Sequence, residues 1–390
     1  MSAVVQPSSA EELASALASA GASRQSIELF GGNSKRWMAG PIAPAAVRLT
    51  TAGMKRVLQY EPRDLTISVE AGIALSELNA LLARNDQMIP LEGPYCDEAT
   101  VGGIVAANIS GERRRLYGAA RDLVIGMTFA TLDGKLVRSG GMVVKNVAGL
   151  DMSKLMIGSF GTLAAIASVN FKLTPRPAFA RTVLFTFDDA AAAFEARNTA
   201  IRGVLNPVAV DILNPVLSAQ LGLKNHTVAL IFAGNEAVIE RAVRESAAMG
   251  PSRALAIEEE QRFWSSVHTV TPRFLEKFRE GAVVRISTTL SECGAALASF
   301  DGPAHAHAAS GVVRGWFTRP DAAKRAMSEA AKRGWNAVVE FAAEGARPHI
   351  DLWPGFNDAN PGSDFAIMKN IKRMFDPENL LNRGRLYGQL

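Results

Sequence analysis

Residues 99 to 111 read Ala-Thr-Val-Gly-Gly-Ile-Val-Ala-Ala-Asn-Ile-Ser-Gly, a run with no charge and no aromatic ring. With so few bulky side chains the segment has two uses. Its backbone can lie close against a flat or phosphate-bearing ligand, or it can form a helix packed tightly on a sheet, which also wants Gly and Ala. A second such element, Phe30-Gly31-Gly32-Asn33-Ser34-Lys35, directly follows the strand-like Ile27–Phe30. Adjacent glycines let successive backbone N–H groups turn inward on an anion, as in a pyrophosphate loop. A plain tight turn is the alternative. Neither segment has Gly-x-Gly-x-x-Gly or Gly-x-x-x-x-Gly-Lys-Ser/Thr spacing, which disfavours a nicotinamide Rossmann site and a P-loop.

The chain has 390 residues, enough for two or three domains, and 48% apolar with 21% charged residues is ordinary for a globular enzyme. A net charge of +4 over this length is a weak field, and the one dense basic run, Arg113-Arg114-Arg115, is short, so nucleic acid is not an expected partner. Cys96 and Cys293 are too far apart in sequence for a metal or redox motif and read as free thiols in a reducing cytosol. Met1–Pro7 lacks a basic n-region and an apolar core, so no signal peptide is expected. The longest charge-free stretch, Leu155–Phe171, is broken by glycines and polar residues, leaving at most peripheral membrane contact.

Ser9-Ala10-Glu11-Glu12 opens a helix that carries Leu13 and Leu17 and ends near Gly21. Strands are expected at Ile27–Phe30, Val47–Thr50 and Leu65–Glu70, the last half-buried by its strict alternation. A hairpin turn at Asp133-Gly134 joins Asp122–Thr131 to Lys135–Arg138, and Leu163–Leu173 closes this part. Thr174-Pro175-Arg176-Pro177 reads as a domain boundary. Beyond it, strand-like Thr182–Phe187, Val208–Leu213, Val228–Ala233, Ala254–Glu258, Val283–Thr288, Gly311–Phe317 and Ala337–Phe341 alternate with helical Glu236–Ala248 and Asp321–Arg333. This pattern suggests helices on one face of a sheet. Asp364–Phe375 reads as a last helix, stopped by Pro377.

With these elements in place, the chain resembles the PCMH-type FAD-binding domain shared by vanillyl-alcohol oxidase-like and p-cresol methylhydroxylase-like flavoproteins. Phe30–Lys35 looks like its pyrophosphate loop. Thr100–Gly111 with Tyr117-Gly118 and Asp122 looks like its second contact, and Gly158-Ser159-Phe160-Gly161-Thr162-Leu163 like its adenosine-side element. Within that family, Arg121–Gly126, Gly140–Asp151 and the closing Phe375-Asp376-Pro377 to Asn382-Arg383-Gly384-Arg385-Leu386 resemble the FAD-binding E subunit of bacterial glycolate oxidase. Arg383 stands where the tail motif usually has Pro. The pyrophosphate loop has no His and the second motif no Cys beside its glycines, so a non-covalent flavin is expected.

The resemblance implies an α+β fold: an FAD-binding domain over 1–177, an α+β cap domain over 178–359, and a segment 360–390 returning to the flavin domain. It implies FAD as cofactor, held by Phe30, Gly31, Gly32, Asn33, Ser34, Lys35, Thr100, Val101, Gly102, Gly103, Ala106, Ala107, Asn108, Gly111, Tyr117, Gly118, Asp122, Gly158, Gly161, Thr162, Leu163 and Asn382. The implied role is the FAD-binding subunit of a cytoplasmic glycolate oxidase complex, able to sit on the inner face of the membrane through its partners. Those partners are a second flavoprotein and an iron–sulfur subunit, and the substrate is glycolate or a related 2-hydroxy acid such as D-lactate. The rival reading is an assembly subunit without turnover of its own.

Related catalytic subunits carry a His-rich, metal-binding motif, and here the nearest counterpart is His305-Ala306-His307. Two His at i, i+2 on a strand face one side, but no third ligand follows. A satisfied buried pair is therefore expected, and no metal. Arg285 and Arg314 lie in strand-like segments where a guanidinium could grip a substrate carboxylate. His305 and Arg314 are the candidate catalytic residues. These side chains form no recognisable constellation in sequence, so the lone chain is expected to turn over little glycolate.

Overall fold

The computed structural model describes residues 4–41, 43–96, 98–144, 149–353, 364–388 and 390. Lys145–Ala148 of the 140–151 motif and the expected cap boundary at Ala359 lie outside the described residues.

The first helix, Ala10–Ala22, is capped by Ser9, whose side chain accepts from the Glu12 N–H, and it buries Leu13, Leu17 and Ala20. A parallel three-stranded sheet follows, with Val47–Thr50 between Val4–Val5 and Ile27–Phe30. A five-stranded antiparallel sheet runs in the order Val57–Glu61, Thr66–Glu70, Ala165–Lys172, Val124–Ala130, Leu136–Gly140. Thr66–Glu70 lies inside this sheet and is buried at every position, not on alternate ones. The polar side of its alternation is covered as well: buried Glu70 accepts from Arg56 Nη2 at 2.8 Å and from the Arg56 backbone N–H at 2.8 Å.

Thr174–Pro175 pairs with Gln87–Met88, and from Phe179 onward the strands belong to an eight-stranded antiparallel sheet. Its middle consists of Ala209–Leu213, Ala304–His307, Val312–Phe317 and Ala282–Ser287 in that order. The strand expected at Ala254–Glu258 is corrected: a strand ends at Ala254 and a helix runs from Ile257 to His268. Glu258, Glu259 and Glu260 occupy its first turn, where the partial positive charge of the exposed N–H groups favours acids. The last helix is Asp364–Phe375, as expected. The tail then crosses back to the first domain, where Leu381 bridges Ile27.

The glycine-rich run becomes the helix Val101–Ala107, N-capped by Thr100. Of the two uses open to it, tight packing holds at Gly102, where a Cβ would sit 2.7 Å from the Ala71 Cβ. Gly31 is equally confined, since its Cβ would lie 2.1 Å from Thr100 Oγ1. The left-handed residue of the first loop is Asn33, at φ +55°. Gly102→Val is expected to destabilise the chain by about 1–3 kcal/mol, as overpacked cores do, read as a lowered urea midpoint at unchanged slope.

Candidate functional site

Two cavities meet where the tail touches the first domain. The smaller, about 100 Å³, is lined by the whole loop Phe30–Lys35 together with Thr100, Gly102, Gly103, Ala106, Gly161, Asn382 and Arg385. The larger, about 400 Å³, has Asn108, Gly111, Gly158, Ser159, Thr162 and Leu163 on one side and Arg285, His307, Arg314 and Glu340 from the eight-stranded sheet on the other. Trp353, Met368, Ile371, Tyr387 and Leu390 add walls from the C-terminal region. Ala107 and Phe160 line both cavities.

Most of the expected cofactor residues thus line one or other cavity, and four do not. Val101 is buried in the core, where its helix packs on the sheet. Exposed Asp122 accepts the Ala119 N–H at 2.8 Å, Gly118 makes the left-handed turn before it at φ +82°, and Tyr117 packs against the core. These three shape the turn behind the cavity and do not line it.

Arg385 is the main residue the sequence reading left out, although it lies in the quoted tail motif. It is buried and donates to the carbonyls of Lys35 at 2.6 Å, Arg36 at 3.2 Å and Gly40 at 3.3 Å, so it ties the first loop to the tail. Burial, with Arg347 beside it, lowers its pKa to about 10. Among the described residues the side chain of neighbouring Arg383 donates to the exposed Pro44 carbonyl at 2.9 Å.

On the cap side the structure brings together what sequence spacing kept apart. His305 and His307 do face one side, and both bond to Asp211 of the adjacent strand, His305 Nε2 at 2.8 Å and His307 Nδ1 at 3.1 Å. A third ligand-type side chain is therefore present, but it lies 94 residues upstream of His305 and does not follow it. Of the two, His307 lines the larger cavity, while the candidate His305 is buried and is not among the lining residues. Burial alone would raise the Asp211 pKa, but the two imidazoles lower it, so it is a carboxylate. Burial also lowers the pKa of His305, against the pull of Asp211.

Arg314 is clamped by Glu340 through Nε at 2.6 Å and Nη2 at 3.2 Å, and Arg285 Nε stands 3.5 Å from the same carboxylate. Despite its burial, Glu340 is held below the usual carboxylate range by Arg314 first and Arg285 second. Arg285 and Arg314 against Glu340 leave one positive charge among these three groups, and ionised Asp211, bonded to His307, adds a negative charge beside them.

The residues present fit a flavin dinucleotide. Lys35 Nζ in the smaller cavity and Ser159 Oγ in the larger are buried polar atoms without a hydrogen-bond partner among the described residues, one suited to a phosphate and one to a polar ring edge. Arg385→Met is expected to weaken cofactor binding about tenfold or more by freeing the loop, and Arg383→Met to leave it unchanged, in a flavin titration of both variants.

Residues 1–140 match a family model described as an FAD binding domain. The chain is 39% identical over 152 residues to the glycolate oxidase subunit GlcE of Escherichia coli (strain K12), covering 39% of this chain and 43% of that protein. It is 31% identical over 175 residues to a D-lactate dehydrogenase of Archaeoglobus fulgidus, covering 44% of this chain and 39% of that protein. The chain thus spans less than half the length of these curated relatives. The structure of p-cresol methylhydroxylase with substrate bound superposes over 99% of this chain and 88% of its own with a TM-score of 0.74 at 14% identity, which establishes the fold. No described helix is long and apolar enough to cross a membrane. The chain therefore has the α+β fold of the PCMH-type flavoproteins, its first 140 residues match the FAD binding domain, and FAD is its cofactor.

Proposed function

We propose that the chain oxidises a small 2-hydroxy acid, glycolate to glyoxylate in the first instance, as the FAD-binding subunit of a complex with a second flavoprotein and an iron–sulfur electron carrier. In this reading residues 1–177 bind FAD, 178–359 form the cap, and 360–390 close the flavin domain. The observation that carries it is the convergence of Arg285, His307 and Arg314 on one wall of the larger cavity, facing Asn108, Gly158 and Ser159. The names of the relatives, a glycolate oxidase subunit and a D-lactate dehydrogenase, support the substrate class, and the first supports the subunit role.

FAD, when bound, supplies the two-electron acceptor for the α-hydrogen. The remaining work falls to side chains of this chain. The positive charge left over by Glu340 holds the substrate carboxylate, with Arg285 the freer of the two guanidiniums: its Nη1 bonds Ser287 Oγ at 2.9 Å, whereas Arg314 is held at two points by Glu340. Ionised Asp211 accepts the His307 Nδ1–H, and this tautomer leaves Nε2 with a lone pair to take the hydroxyl proton. Asp211 then stabilises the imidazolium. The apolar side chains of Met38, Leu155, Met368 and Ile371 keep water from this wall.

Anaerobic mixing of the purified chain with glycolate or D-lactate tests the reading: the little turnover expected from sequence gives way to bleaching of the oxidised flavin band by at least one acid, because Arg285, His307 and Arg314 share one wall of the larger cavity. A fully loaded chain that bleaches with neither acid supports the assembly-subunit reading instead. His307→Asn is expected to slow bleaching about 10²- to 10⁴-fold, the usual cost of removing a general base, and Arg285→Met to lower kcat/KM about 10- to 100-fold, mostly through KM. Acid precipitation should release all of the flavin into the supernatant, because neither glycine-rich element offers an attachment side chain.

A further inference from the structure

We propose that Lys35 is the charge partner of the FAD pyrophosphate and that FAD binding draws one proton from solvent onto its amine. This rests on seating the pyrophosphate in the Phe30–Lys35 loop.

The Lys35 side chain is buried to 7% exposure, lines the smaller cavity, and its Nζ has no hydrogen-bond partner among the described residues. A buried ammonium without a counter-charge is costly, and burial first, with Arg385 beside it and against the pull of Cys96, lowers its pKa to about 8. The groups around it do not answer the charge. Cys96 favours the protonated amine and Arg385 opposes it, and the pKa stays below that of a free lysine. Three of the five Arg385 N–H donors go to the carbonyls of Lys35, Arg36 and Gly40, and its fixed positive charge stands beside the amine. Glu98 presents its backbone carbonyl to Gly32, and its side chain is exposed. No Asp or Glu is among the described residues lining this cavity, whose polar side chains other than Lys35 and Arg385, namely Asn33, Ser34, Thr51, Thr100 and Asn382, are neutral.

A diphosphate is the ligand that completes such a site. It supplies negative charge at the loop, where the glycines leave the backbone open, and it stabilises the ammonium over the free amine. The sign follows from linkage. The amine of the free chain loses its proton as pH rises through about 8, and the anion-bound chain keeps it to higher pH. Proton uptake on binding is therefore small at neutral pH, about 0.1 per FAD, and approaches one near pH 9. Affinity falls across the same window, toward tenfold per pH unit.

Calorimetric titration of the deflavinated full-length chain with FAD and with ADP tests this, run at pH 7 and pH 9 in two buffers of different ionisation enthalpy. The expected result is uptake near one proton at pH 9 for both ligands, and in Lys35→Met loss of that uptake with Kd raised about tenfold or more at pH 7. Equal uptake at both pH values, or Lys35→Met binding with unchanged affinity and uptake, overturns the proposal. Should Lys35→Met fail to fold by circular dichroism, the Nζ resonance of ¹⁵N-lysine-labelled wild-type chain decides: a titration near pH 8 that moves upward on adding FAD supports the assignment, and one that stays put overturns it. Gly32→Val separates the two layers. Undiminished FAD binding there means the pyrophosphate lies elsewhere, whereas lost binding beside an indifferent Lys35→Met removes only the role of Lys35.

Discussion

The flavin cavities depend on one side chain from the far end of the chain. The Asn382 amide accepts the Leu29 N–H at 2.6 Å and donates to the carbonyls of Leu29 at 2.9 Å and Phe160 at 2.8 Å, joining the strand Ile27–Phe30 to the 158–163 segment. The fit is close on all sides, since a Cβ on Gly161 would lie 2.9 Å from Asn382 Nδ2. Behind it, buried Lys372 donates to Asp376 at 2.5 Å and to the carbonyls of Thr162 and Leu381, while Asp376 accepts the N–H groups of Leu380 and Leu381. Burial lowers the Lys372 pKa, and Asp376 only partly restores it, so the pair is held by its full set of partners and not by Coulomb attraction alone. The tail is thus a wall of the site and not an appendage.

That dependence explains why function sits at a junction. The loop Phe30–Lys35, the helix Val101–Ala107, the 158–163 segment and the tail supply a glycine-lined trough whose charged side chains are Arg385 and Lys35, the Lys35 amine without a hydrogen-bond partner among the described residues. The eight-stranded sheet supplies a wall of ion pairs in which Arg285 and Arg314 against Glu340 leave one positive charge. Neither half makes the larger cavity alone. Redox chemistry needs a cofactor held on one side and a substrate oriented on the other, and the two polar networks meet across about 400 Å³.

Much of the fold was legible because local rules agreed with it. Ile27–Phe30, Val47–Thr50 and Asp364–Phe375 fall on the expected residues, and Ser9 caps its helix as its spacing implied. Alternation misled at Thr66–Glu70, because it reports polarity, and Glu70 is buried with its charge answered by Arg56. The apolar residues before Glu258 suggested a strand, but three acids in one helical turn were the stronger signal. The glycine-rich segments line the smaller cavity, though part of their glycine content serves packing against Ala71 and Thr100. The cap wall was opaque for a topological reason: Asp211, His307, Arg314 and Glu340 meet only through antiparallel pairing of strands far apart in sequence, and no local spacing encodes that.

The most direct measurement of the central claim is the FAD dissociation constant of an Asn382→Ala variant whose fold is verified by circular dichroism. Removing the amide strands the Leu29 N–H and two carbonyls, each at about 1–3 kcal/mol if left unpaired, at the join of the two segments that hold the cofactor. The account predicts at least a tenfold weaker Kd. A folded variant that binds FAD as tightly as the parent chain would contradict it.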